Sequence, residues 1–160
     1  LRFLLLLIML ISPCVEANQE DCATDKLFDG KLFELELSWG RYGIYKAVYK
    51  FCYSEQSHLF YELYEPVAID SISETFMKYS KSAILPDSLA NKIKTQYELA
   101  VLRLNNDTVI GFHGSKWCFK PKSGLNYGQY CYWTPTYNSK QRGLDHLVEL
   151  KKLVSNIFEE

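Results

Sequence analysis

Three histidines, His58, His113 and His146, are the residues of this chain best suited to acid–base chemistry. Cleavage of a phosphate ester by a histidine pair needs both imidazoles within hydrogen-bond reach of one substrate. His58 falls in a turn and His146 on a C-terminal amphipathic segment, whereas His113, in Phe112-His113-Gly114, is embedded in an apolar stretch. No activating partner can be named for it, and the chain has no Gly-X-Ser-X-Gly elbow, P-loop or dinucleotide fingerprint. A non-enzyme is therefore expected, with a small secreted hydrolase or nuclease centred on His113 as the lower-ranked alternative. Neither CxxC nor CxH spacing occurs, so no metal site is expected. No cofactor is expected either.

The aromatic load carries more information. Twelve Tyr, nine Phe and three Trp are present, many of them alternating along apolar stretches. Tyrosine combines an apolar body with a polar tip and suits a pocket wall. Trp39, Tyr45, Tyr49, Tyr61 and Trp133 are the candidate ligand-binding residues. With an acidic partner, such rings hold a small amine through cation–π and charge-assisted contacts. Glu34, Glu36, Glu62 and Glu98 are the candidate acids, all read as strand residues. The same aromatics serve equally as core and cross-strand packing, because a lone sequence does not say which face is inside. Lys116, Lys120 and Lys122, interleaved with Trp117 and Phe119, have the chemistry to meet anionic glycans or phosphate, though a solvated face is the expectation.

Compartment follows from the first residues and the cysteines. Residues 1–17 read as a secretory signal: Arg2, an apolar run from Leu4 to Ile11, then Val15-Glu16-Ala17 before Asn18. The run is shorter than the about 20 residues that span a bilayer, so no membrane anchor is expected in the mature chain. Residues 18–160 then form one globular domain, with 48% of the chain hydrophobic and a formal net charge of −1. That balance excludes nucleic-acid binding by bulk charge. Cys14 leaves with the signal, and Cys22, Cys52, Cys118 and Cys131 are expected to form two disulfides in a secreted, extracellular protein. Three pairings are open; Cys22–Cys118 with Cys52–Cys131 is preferred because it ties both early segments to late strands. Asn106-Asp107-Thr108 is a glycosylation sequon, expected on a surface hairpin.

The elements that must position these residues are largely strands. Phe33, Leu35, Leu37 and Trp39 alternate with Glu34, Glu36 and Ser38, predicting a half-buried strand over 31–39. Gly40-Arg41-Tyr42-Gly43 turns the chain into a second strand over 44–53, and a third runs over 59–64 to Pro66. Ser71-Ile72-Ser73-Glu74 resembles a capping box, so a short helix is predicted over 71–82. Tyr97, Leu99 and Val101 predict a hairpin over 97–113, and further strands are predicted at 116–120 and 129–133. From Leu144 to Ile157 apolar residues recur every three or four positions, the pattern of an amphipathic C-terminal helix. The predicted class is mainly β with helices, a β-rich α+β domain built on an antiparallel meander. A closed or nearly closed antiparallel barrel is expected, since closure removes exposed edges; an open cystatin-like sheet around a helix is the alternative.

Tyr130-Cys131-Tyr132-Trp133-Thr134, ahead of the terminal helix, is similar to the Cys-x-x-Trp strand of the lipocalins of blood-feeding arthropod saliva, with the Trp two residues after the Cys. Trp39-Gly40-Arg41-Tyr42 resembles the same family's first-strand Trp. The resemblance implies a lipocalin-like barrel whose calyx sequesters an amine or lipid mediator. The functional expectation is thus a secreted protein binding a small apolar or amine ligand in an aromatic-lined pocket. The alternative is a secreted effector or protease inhibitor that engages an extracellular protein through loops 40–43, 105–108 and 121–128.

Overall fold

A computed structural model describes Cys22 and residues 30–67, 76–111, 113–123 and 126–159. The expected signal segment, 1–17, and the Ser71–Glu74 capping box lie outside these residues. Four strands run as an antiparallel meander, β1 (Gly30–Trp39), β2 (Tyr45–Tyr53), β3 (His58–Pro66) and β4 (Phe76–Ile84). Helix α1 (Asp87–Leu102) then crosses the sheet to β5 (Ser115–Ser123), which pairs with the free side of β1. Strands β6 (Asn126–Tyr127) and β7 (Tyr130–Trp133) pair with the far side of β5, and helix α2 (Asp145–Ser155) follows. Among the described residues β4 and β6/β7 are the two edges, so the sheet is open and not the closed barrel that was expected. The physical reason is that two helices, α1 and α2, cover one face of the sheet. Its apolar surface is buried against them instead of being rolled inward on itself.

The period-two pattern of β1 fixes which face is covered. Phe33, Leu35 and Leu37 sit opposite Phe51, Tyr49 and Ala47 on one side and Pro121, Phe119 and Trp117 on the other. Phe33, Leu35, Phe51, Leu59 and Phe119 have no solvent-exposed surface. Gly40, with φ of +79°, turns β1 towards β2; a Cβ there would lie 2.7 Å from the Tyr45 ring, so the turn requires glycine.

Two segments take different structures from those predicted. The region predicted as a helix over 71–82 is β4 from Phe76 onward. Its residues are mostly exposed and pair with β3 at the sheet edge, so backbone pairing decides its form and the Phe76–Tyr79 spacing does not. The predicted hairpin over 97–113 is instead the end of α1 and an irregular segment. Pro86 and Asp87 open that helix, and Ala90, Ile93, Tyr97 and Ala100 bury one face at helical spacing. Asn106 is therefore exposed on the irregular segment after α1, not on a hairpin. The predicted C-terminal helix is α2, which buries Leu147, Val148, Leu150 and Val154.

The disulfides are Cys22–Cys52 and Cys118–Cys131, not the preferred Cys22–Cys118 and Cys52–Cys131. Register is the reason. Cys118 and Cys131 are direct cross-strand partners of β5 and β7, with Cα atoms 4.1 Å apart, on the sheet face away from the helices. Glu34, Glu36 and Glu62 share that face in an ion-pair lattice: Lys120–Glu34 2.8 Å, Lys46–Glu36 3.0 Å and Lys78–Glu62 2.7 Å. Burial works to raise the Glu34 and Glu62 carboxyls. The lysine hydrogen bonds and charges outweigh it, so both titrate below the ordinary carboxylate range.

One buried side chain organises the C-terminal third. Arg142 uses all five of its N–H donors. Two go to Asp107 Oδ2 from Nε and Nη2, and three to the carbonyls of Trp133, Thr134 and Tyr137. Both partners of the ion pair are only 9% exposed. Replacing Arg142 with Ala strands a buried carboxylate and is expected to cost about 3–5 kcal/mol, read from urea unfolding. An Arg142→Met/Asp107→Leu double replacement should cost clearly less than that single change, since it leaves no uncompensated charge.

Candidate functional site

The five candidate aromatics separate onto two parts of the molecule. Tyr49 and Tyr61 are cross-strand partners on β2 and β3, facing the helix side of the sheet, with ring centroids 5.0 Å apart. Trp39 and Tyr45 are partners at the other end of that face and stack at 5.9 Å. Trp133 lies on the opposite face, paired with Lys116, and donates its indole N–H to the His113 carbonyl. The structure therefore brings Tyr49 and Tyr61 together and leaves Trp133 out of their company.

Tyr49 and Tyr61 line a cleft of about 430 Å³ with Leu63, Glu65, Tyr79 and Lys81 from the sheet. Ser155, Phe158 and Glu159 close it from the end of α2. Alternation along β3 puts Tyr61, Leu63 and Glu65 on one side of the strand, and β4 adds Tyr79 and Lys81 opposite Leu63 and Tyr61. Phe158 stacks on Tyr61 at 5.5 Å, so the turn that follows α2 forms a wall. The Lys81 ammonium is engaged by the Phe158 carbonyl at 3.4 Å. Glu65 and Glu159 have no ion-pair partner among the described residues.

The candidate acids read from the sequence are elsewhere. Glu34, Glu36 and Glu62 alternate out of phase with the core residues and lie on the far face of the sheet. Glu98 is on the exposed side of α1, not on a strand. The carboxylates that meet the tyrosines are Glu65, two positions beyond the in-facing Leu63, and Glu159. Glu65 was not among the acids read from the sequence, although it shares the period of Tyr61 and Leu63 along β3; nothing in the sequence brought Phe158 and Glu159 onto β3.

Electrostatics in the cleft favour a neutral tyrosine. Burial pushes the Tyr49 phenol far up from its ordinary value, and the neighbouring Tyr61 and Glu159 add to the shift. Burial, with Glu65 and Glu159, raises Tyr61 as well.

A larger hollow of about 960 Å³ lies at the Trp39 end of the sheet, bordered from both of its faces. Trp39, Trp133, Arg41, Lys46 and Lys116 contribute to it, and His113 lies at its rim. His58 and His146 do not line it; His146 Nδ1 is 3.0 Å from Gln96 on α1. Gly111 lets the indole of Trp133 rest against the loop backbone, because a Cβ there would lie 2.4 Å from its Nε1. Among the described residues no group of three His, Cys, Asp or Glu side chains converges as metal ligands do.

The raised Tyr49 value has a stability consequence. A phenol that titrates higher in the fold than at the unfolded value of 10.0 contributes stability that is complete below pH 10 and fades as pH climbs towards the folded value. Tyr49→Phe removes that loss, so its alkaline unfolding midpoint should lie at higher pH than that of the wild type. Absorbance at the phenolate band should show Tyr49 ionising only together with unfolding.

No protein-family model matches this chain, and no curated protein is significantly similar to it.

Proposed function

We propose that this protein is a secreted binding module that holds a small organic amine in the Tyr49–Tyr61 cleft. The observation that carries the reading is the pairing of tyrosine walls with two carboxylates, Glu65 and Glu159, that lack a cationic partner among the described residues. A protonated amine supplies the missing charge, while the tyrosine faces contact its apolar body. A volume of about 430 Å³ lies within the roughly 300–1,000 Å³ range of small-molecule sites. An apolar ligand such as a fatty acid would set its own carboxylate against Glu65 and Glu159, so the amine is favoured over the lipid. The two disulfides and the exposed Asn106 sequon support an extracellular, glycosylated protein.

Calorimetric titration with serotonin, histamine and oleate tests the reading. At least one amine should bind saturably and oleate should not. The Glu65→Gln/Glu159→Gln double variant should lose about tenfold or more in affinity, equivalent to about 1.4 kcal/mol. Flat titrations with both amines, or unchanged affinity in the double variant, would sink it.

A second reading, an effector or inhibitor that docks on an extracellular protein, rests on β4. That strand is an edge among the described residues, with Phe76 45%, Tyr79 50% and Ile84 60% exposed. Such an edge adds a partner strand through its unpaired backbone groups. Binding to a panel of extracellular proteases that disappears in Phe76→Lys/Ile84→Lys would support it; no binding across the panel would remove it.

A further inference from the structure

The sheet face turned away from the helices carries an ordered row of basic and aromatic residues. Registers across β7, β5, β1, β2, β3 and β4 align Trp133, Lys116, Ser38, Lys46, Tyr64 and Lys78 in one line. At the roughly 4.8 Å spacing of paired strands, that line is about 24 Å long. It holds three lysines and no acid. Lys46 and Lys78 sit over the two sides of the Tyr64 ring, at 5.6 and 5.7 Å. Glu36 and Glu62 flank them from the next row and hold their ammonium groups in place, at 3.0 and 2.7 Å. Lys116 is exposed and has no side-chain partner among the described residues. At the Trp133 end the line opens into the hollow of about 960 Å³, which Arg41 and Glu36 also line.

We propose that this row binds a linear sulfated glycan, its anionic groups on Lys116, Lys46 and Lys78 and a sugar ring against Trp133. Three features point to a chain and not to a single anion: the line crosses six strands, its cations are separated by uncharged positions, and flat rings stand among them. Spacing along the line matches repeated charges on a polymer better than one phosphate-sized ion. The compartment selects the polymer. Both disulfides lie on this same face, and they belong to an oxidising compartment, where the abundant polyanions are sulfated and carboxylated glycans. The overall charge of −1 gives no general attraction to polyanions, so binding depends on the row. This site is separate from the tyrosine cleft, and its test does not depend on amine binding.

The test titrates the full mature chain with a heparin-derived hexasaccharide in about 0.15 M salt. Saturable binding is expected, weakening about tenfold or more in Lys116→Gln/Lys46→Gln, with the salt dependence falling by about one unit of slope per lysine removed. Trp133→Ala should also weaken binding, while Lys152→Gln on α2 should leave it within twofold. Near-ultraviolet circular dichroism checks that each variant is folded. Absent binding overturns the proposal, as does equal binding by the Lys116→Gln/Lys46→Gln variant. Inorganic sulfate binding as tightly as the hexasaccharide would overturn the linear site. A single-stranded oligonucleotide of similar length binding as tightly would overturn the glycan assignment.

Discussion

Phe33 is the residue through which the fold is joined. Its ring lies 5.6 Å from Phe51 on β2, 5.7 Å from Phe119 on β5 and 5.6 Å from Tyr97 on α1, in stacked or tilted arrangements. One side chain on the central strand thus contacts both flanking strands and the helix layer above them. Once Phe33 is fixed inward, the two-residue period of β1 assigns every other side chain on the strand. Leu35 and Leu37 follow it into the core, and Glu34, Glu36 and Ser38 go to the far face. Slipping the register by one residue would bury three polar side chains and expose three apolar ones. The tyrosine cleft and the lysine row both depend on this single assignment, because they sit on opposite sides of the same strands.

The meander from β1 to β3 was legible because β1 alternates strictly, aromatic residues recur at every second position of β2 apart from Ala47, and the turns carry glycine or serine. The terminal helix was legible because Leu147, Leu150 and Val154 recur at helical steps among charged residues. β4 was not. As an edge strand it has nearly all of its side chains in solvent, so no buried face wrote a pattern into the sequence. α1 was misread for the opposite reason. Its inward face uses Ala90 and Ala100 beside Ile93 and Tyr97, whereas Leu99, which suggested alternation, points to solvent at 38% exposure. Small residues pack helices closely but give little periodic signal.

The site divides along the same line. Tyr49 and Tyr61 could be named from the strand pattern, since they face inward on neighbouring strands. Of their acidic neighbours, Glu65 shares the period of Tyr61 on β3, whereas Glu159 reaches the cleft only through the docking of α2, an event of tertiary packing. The cysteine pairing was hidden for a related reason: whether Cys118 meets Cys131 or Cys52 depends on which strands become neighbours. No local rule sets that. Position in sequence favoured long ties, and strand register delivered a short one across a single ladder.

The pairing of β1 with β5 also bears on the order in which the molecule can assemble. Contacts across this ladder join residues far apart in the chain: Ser38 and Lys116 are separated by 78 positions, and Glu34 and Lys120 by 86. Neighbours within the meander are close in sequence: five residues separate β1 from β2, four separate β2 from β3 and nine separate β3 from β4. Loop-closure entropy therefore favours an early β1–β4 hairpin array whose apolar face waits uncovered for the second half of the chain. During synthesis that face would stay open until β5 and the terminal helix had left the ribosome. A chain truncated before α2 would keep the strands most disposed to pair and α1 above them while lacking the second helix of the layer that shields them, and would be the form most prone to self-association.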